Sequence, residues 1–244
     1  MQWLKWSMVG MLASLGCDEK GDGDGGDDEC ELGDTMNCGL GGEHADAEDE
    51  CIEHEGVAMW GCSVAEFCAC DTPLVLSFDG AEPRMGESAS AAFDIDVAGG
   101  CLTTDWPEAS TPWLALDRDG DGAIADGREL FGSGTRLASG ARAAHGFAAL
   151  AELDDNTDGL IDVRDAGFGK LVLWADDDLD KRGRAGELES LAGARVLSLE
   201  LGWHSDRRCD DRGNCGIERA AFTWIDAGGS LRTGEIVDLH LACQ

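Results

Sequence analysis

The chain has 244 residues, enough for one sizeable domain or for a domain with a small module attached. It carries 50 Asp and Glu against 18 Lys and Arg, a formal net charge of -32. Binding to a phosphate backbone needs basic patches, so this balance excludes nucleic acid as a partner. Divalent cations, each able to neutralise several carboxylates, are the matching counter-partner. Hydrophobic residues make up 43%, enough for a core, and most of them follow residue 71. Tyrosine is absent and tryptophan is the large aromatic.

Residues 1–17 read MQWLKWSMVGMLASLGC. One lysine, Lys5, precedes an apolar run from Trp6 to Leu15 that is too short to span a bilayer and suits the central region of a signal peptide. The run ends in Ser14-Leu15-Gly16-Cys17, which resembles a bacterial lipobox, although Ser14 stands where Leu or Val is usual. That resemblance implies a signal peptide over 1–16, lipidation of Cys17, and a protein anchored at the outer membrane or cell surface. Ordinary signal cleavage and secretion is the alternative. The acidic, glycine-rich stretch up to residue 29 cannot bury enough apolar surface to offset its ordering entropy, so 17–29 reads as a flexible tether.

Ten cysteines remain beyond Cys17. Cys30, Cys38, Cys51, Cys62, Cys68 and Cys70 crowd together, while Cys101, Cys209, Cys215 and Cys243 are scattered. Behind an export signal this pattern reads as a disulfide framework whose pairing is open, with Cys209 and Cys215 placed to close a short loop. A zinc site using Cys51, His54 or the Cys68/Cys70 pair is the competing reading, but no Cys-x-x-Cys knuckle is present. Residues 30–70 form a Cys-rich module that needs its staples to fold.

The last module spans 71–244. Leu74-Val75-Leu76 predicts a strand, as does the alternation of Phe93, Ile95 and Val97 within 91–97. Trp113 to Leu116 is a short apolar run. Phe147, Leu150 and Leu153 recur at helical intervals within 143–153. Residues 170–174 read as a short strand, 187–191 as one or two helical turns, and 195–201 as a buried strand. A hairpin is expected from 220–225 and 230–241, turned by Asp226-Ala227-Gly228-Gly229. Strands and short helices without a βαβ repeat give an α+β expectation.

Three Asp-rich loops punctuate these elements. A twelve-residue calcium loop places oxygen ligands at positions 1, 3 and 5, a turn glycine at 6, a backbone carbonyl at 7, an apolar anchor at 8 and a closing carboxylate at 12. The loop from Asp154 follows this rhythm best: Asp154, Asn156, Asp158, Gly159, the carbonyl of Leu160, Ile161, Asp162 through a water, and Asp165. The loop from Asp117 offers Asp119, Asp121, Gly122, the Ala123 carbonyl and Ile124, but Arg128 occupies position 12 and Glu129 closes one residue late, with Gly127 absorbing the kink. The loop from Asp176 keeps Asp178, Asp180, the Arg182 carbonyl and Glu187, but has Lys181 for the turn glycine and Gly183 for the anchor. A left-handed backbone at Lys181 costs roughly 1–2 kcal/mol.

Segments 116–132, 146–162 and 171–188 resemble, in order, the EF-hand-like calcium domain of large secreted bacterial proteins, a domain that often accompanies haemolysin-type repeats. The opening TPLVLSFDG and the closing IVDLHL are similar to its flanks. The resemblance covers about 72–244. It implies bound Ca2+ and export, and no catalysis. The residues agree on the last point: the histidines form no HExxH and there is no Gly-x-Ser-x-Gly elbow. The expectation is an exported, lipid-anchored calcium-binding protein. An interaction module carried by 30–70, and then a calcium-stabilised hydrolase, are the alternatives.

Overall fold

In a computed structural model, the described residues are 35–37, 48–54, 57–60, 72–86, 91–95, 97 and 103–242. The chain divides into two compact units, Met1–Val64 and Ala65–Gln244. In the first, β1 (Thr35–Asn37), β2 (Glu48–His54) and β3 (Val57–Trp60) form an antiparallel sheet in that order. Cys17 and the tether lie outside the described residues, as do Cys30, Cys38, Cys62, Cys68, Cys70, Cys101 and Cys243. Cys51 pairs with Trp60 across β2 and β3.

The second unit is built on strands. β4 (Leu74–Ser77), β5 (Met85–Gly86), β6 (Trp106–Pro107) and β7 (Trp113–Ala115) precede the only α-helix among the described residues, α1 (Gly146–Leu150). Then follow β8 (Leu160–Asp162), β9 (Val172–Trp174), β10 (Leu188–Ser190), β11 (Val196–Glu200), β12 (His204–Cys209), β13 (Cys215–Ile225) and β14 (Leu231–His240). One antiparallel sheet runs β10-β9-β7-β4-β14-β13-β11-β8, with β12 added against β13.

The α+β expectation is therefore corrected to a mostly β fold. The apolar runs are too short for helices, and their backbone groups are satisfied across strands. Residues 187–191 show why. Leu188 and Ser190 pair with Trp174 and Val172, so the segment is an edge strand and not a helical turn. The expected strand over 91–97 is absent among its described residues. The Asp94 carbonyl instead accepts from Gly127, and Val97 has a positive φ of 58° that breaks extension. The strands at 74–76, 170–174 and 195–201, the helical pattern within 143–153, and the final hairpin appear as expected, with small shifts of boundary.

Residues along β4 alternate between two cores, as the two-residue period of a strand requires. Leu74 and Leu76 pack with Phe147, Leu150, Phe222 and Ile236 on one face. Val75 packs with Trp113, Trp174, Val237 and Leu239 on the other. The tryptophans meet edge to face, Trp106 standing 4.9 Å from Trp113 and 5.4 Å from Trp174.

Cys209 and Cys215 form the disulfide the spacing suggested, closing the turn between β12 and β13. Asp210 organises that turn by accepting from the backbone of Arg212 and Asn214. Asn214 in turn donates to buried Asp105 at 2.7 Å. Replacing both cysteines by serine should lower stability by about 2 kcal/mol, since the loop closed is short. A urea titration beside the parent protein checks this, and an unchanged midpoint would show that the hydrogen bonds alone hold the turn.

Candidate metal loops

The three Asp-rich loops share one backbone although their sequences differ. The fourth and sixth positions have left-handed φ in each: Gly120 and Gly122 (76° and 83°), Thr157 and Gly159 (57° and 81°), Leu179 and Lys181 (57° each). The first-position carboxylate then reaches over the turn to the amides it points at. Asp117 accepts from Gly120 and Gly122, Asp154 from Asp158 and Gly159, and Asp176 from Lys181. Lys181 thus adopts the glycine conformation, at roughly 1–2 kcal/mol.

The Lys181 side chain has partners of its own. Its side chain is almost fully buried. The ammonium donates to the Thr104 carbonyl at 2.9 Å and lies 4.9 Å from the centre of the Trp106 ring. Burial lowers its pKa, and the charges of Asp176 and Asp105 oppose that shift.

Gly183, which sits where an apolar anchor was expected, is also explained. Ile124 of the first loop and Gly183 of the third exchange both backbone hydrogen bonds, at 2.8 and 2.9 Å. A Cβ on Gly183 would stand 2.8 Å from Cβ of Ile124 and 3.1 Å from the Trp174 ring. The first and third loops are therefore one paired unit in which Ile124 supplies the anchor for both. The second loop is anchored separately, Ile161 pairing with Leu199 of β11.

Closure differs among the loops. Glu129 folds back over the first loop. Its carboxylate accepts from the amides of Arg118 and Ala125. Burial raises its pKa, and Asp119 and Asp117 add to the effect. Gly127 is needed because a Cβ there would meet the Ile95 carbonyl oxygen at 1.6 Å. Asp165 makes the equivalent contacts in the second loop, with Asp155 and Asp162. Glu187 accepts from Arg184 in the third.

Two of the three loops gather carboxylates tightly. Oxygens of Asp117, Asp119 and Asp121 lie within 4.8 Å of one another, and so do those of Asp176, Asp180 and Glu187. In the second loop the Arg164 guanidinium draws Asp158 and Asp162 to itself, at 2.6 and 2.7 Å. Asp178 and Asn156 lie on the exposed rims of their loops. The carbonyls of Ala123, Leu160 and Arg182 follow the left-handed sixth residue in each case.

The third loop has a further property. Asp176 is buried, and its Oδ1 has no hydrogen-bond partner; neither does Oδ1 of Asp180. Burial raises the Asp176 pKa, with Glu187, Asp180 and Asp178 adding to it. Unpartnered carboxylate oxygens converging at a site suit a hard cation.

None of these loops lies between two α-helices. The first runs from β7 to a 3-10 turn (Gly127–Glu129), the second contains β8 and runs from one 3-10 turn (Ala151–Leu153) to another (Phe168–Lys170), and the third runs from β9 to β10. The EF-hand expectation is corrected on this point: the ligand rhythm is present and the helix–loop–helix frame is absent.

A family model described as the SPM domain matches residues 74–242. This chain belongs to the SPM-domain family. The chain is also similar to a protein of Neisseria meningitidis serogroup C named iron-regulated protein FrpA, at 36% identity over 168 residues. That match takes in 68% of this chain and 15% of the relative's length. The three loops all fall inside the SPM domain. No described helix of it is long and apolar enough to cross a membrane.

Sequence reasoning passed over another buried group in this SPM domain. Glu218, Asp238 and His240 place one ligand atom each within 4.8 Å of one another. The signal was present as Asp-x-His in a predicted strand, a spacing that puts both side chains on one face. Glu218 could not be placed by spacing, because a bulge carries it there. The register of β13 against β14 shifts between Gly216 and Arg219, so that Ile217 and Glu218 together oppose Asp238.

Proposed function

We propose that this SPM domain is an exported calcium-binding module in which ions held by the Asp-rich loops stabilise the paired first and third loops. The observation that carries the reading is the convergence of Asp176, Asp180 and Glu187 around two unpartnered carboxylate oxygens, in a loop that pairs backbone to backbone with the Asp117 loop. A cation there takes up oxygens that no protein donor satisfies. Calcium is favoured over magnesium because the loops offer many carboxylates and carbonyls on flexible turns.

The Asp117 loop binds through Asp117, Asp119, Asp121, the Ala123 carbonyl and Glu129. The Asp154 loop binds more weakly, because Arg164 pairs with both Asp158 and Asp162, whereas in the third loop Arg184 pairs with Asp180 alone. The Cys209–Cys215 disulfide supports an oxidising compartment, in line with the signal-like N-terminus and an anchor at Cys17. Calorimetric titration of chelator-treated protein tests the reading. Loss of most of the heat on Asp176→Asn together with Asp117→Asn supports it, and heat unaffected by that pair of substitutions contradicts it.

A further inference from the structure

Glu218, Asp238 and His240 are separate from the loops and differ from them in kind. They project from β13 and β14, the long central hairpin, and not from turns. All three are buried, at 6%, 0% and 8% exposure. His240 Nε2 and Glu218 Oε2 are 2.9 Å apart. Oδ2 of Asp238 accepts from the amide of Gly146 at 2.5 Å. Its Oδ1 makes no hydrogen bond of normal geometry, and the Thr72 hydroxyl nearby is one group that favours its charged form. A fully buried carboxylate beside a second carboxylate is costly unless a cation or a proton is shared among them.

We propose that Glu218, Asp238 and His240 form a second metal site, selective for a first-row transition ion of the zinc class over calcium. The donor set decides the class. Calcium takes six to eight oxygens, whereas this site offers two carboxylates and an imidazole, a combination that zinc accepts with three protein ligands and one open position. Ligands about 2 Å from a tetrahedral ion stand roughly 3.3 Å apart, so the three ligand atoms need only small rotations to enclose it. The Gly146 amide holds Asp238 from behind, as a supporting hydrogen bond does for a ligating carboxylate. Glu218 and His240 keep a small opening to solvent through which an ion can enter. The bulge at Ile217 and Glu218 is the backbone device that brings the third ligand onto this face.

The full chain, with cysteines oxidised and any free thiol alkylated, is saturated with calcium to fill the loops. It is then titrated with Zn2+ by calorimetry, and its metal content is measured after dialysis. One zinc per chain is expected, with binding at least tenfold weaker in Asp238→Asn and in His240→Asn and unchanged in Asp176→Asn. Co2+ added to the unsubstituted protein keeps the test independent of how the variants fold, and weak visible bands of low-symmetry cobalt with nitrogen and oxygen ligands should appear and be removed by Zn2+. No zinc retained, zinc equally retained by both hairpin variants, or no cobalt band would overturn the proposal and leave a hydrogen-bonded buried cluster.

Discussion

Asp176→Asn should abolish most of the stabilisation that calcium gives while leaving the chelated protein as stable as its parent, or more so. The two halves of this expectation have different causes. In calcium the substitution removes one charge and one ligand from the Asp176, Asp180 and Glu187 cluster. A tenfold loss of affinity corresponds to about 1.4 kcal/mol, and losses of that size or larger follow removal of a first-position carboxylate. In chelator the same carboxylate is a liability. It is buried, Oδ1 has no partner, and Glu187, Asp180 and Asp178 repel its charge. Asn keeps the oxygen that accepts from Lys181 and removes the charge, so stability should hold or rise by about 1 kcal/mol. Thermal melts with and without calcium measure both. Asp177→Asn, exposed and outside the ligand set, serves as the control. If Asp176→Asn lost several kcal/mol in chelator and kept its calcium shift, the carboxylate would be a structural cap and not a ligand.

Gly183→Val should damage two loops at once. The missing side chain at this position makes room for Ile124, and a Cβ would meet it at 2.8 Å with the Trp174 ring behind. Overpacking of this kind costs roughly 1–3 kcal/mol. The strain falls on the backbone bonds between Ile124 and Gly183, which align the first loop with the third. Calcium stoichiometry by native mass spectrometry should therefore fall by two ions, while the Asp154 loop, anchored through Ile161 on β11, keeps whatever it binds. Full stoichiometry in Gly183→Val would show that the loops bind independently.

These two positions also mark how far the sequence could be read. The spacing of carboxylates and glycines placed all three Asp-rich turns, because a turn pattern is local. The hairpin at 220–241 and the Cys209–Cys215 closure were legible for the same reason. The frame was not. Short apolar runs such as Leu171-Val172-Leu173-Trp174 suit a strand or one turn of helix equally, and only partners distant in sequence decide. Two departures from the loop pattern, Lys181 and Gly183, looked like defects and proved to be tertiary fits. Trp106 and the Thr104 carbonyl accommodate the lysine, and Ile124 fills the space over the glycine. The Asp154 loop had the best rhythm, yet Arg164, two residues past Asp162, competes for its carboxylates. Strand pairing with a bulge hid Glu218 altogether, since no sequence period contains the extra residue.

The central claim is that calcium ions hold the paired loops, and calcium titration of the chelator-stripped full chain, followed by calorimetry and thermal melting, tests it most directly. Exported modules of this kind bind with dissociation constants of about 10⁻⁴–10⁻³ M. At 10 mM calcium a site of 10⁻⁴ M adds about 2.7 kcal/mol, a rise in melting temperature on the order of 5–10 °C for a domain of this size. Saturable heat with such a rise is the result expected. No heat and no change in melting temperature up to 10 mM calcium would contradict the account.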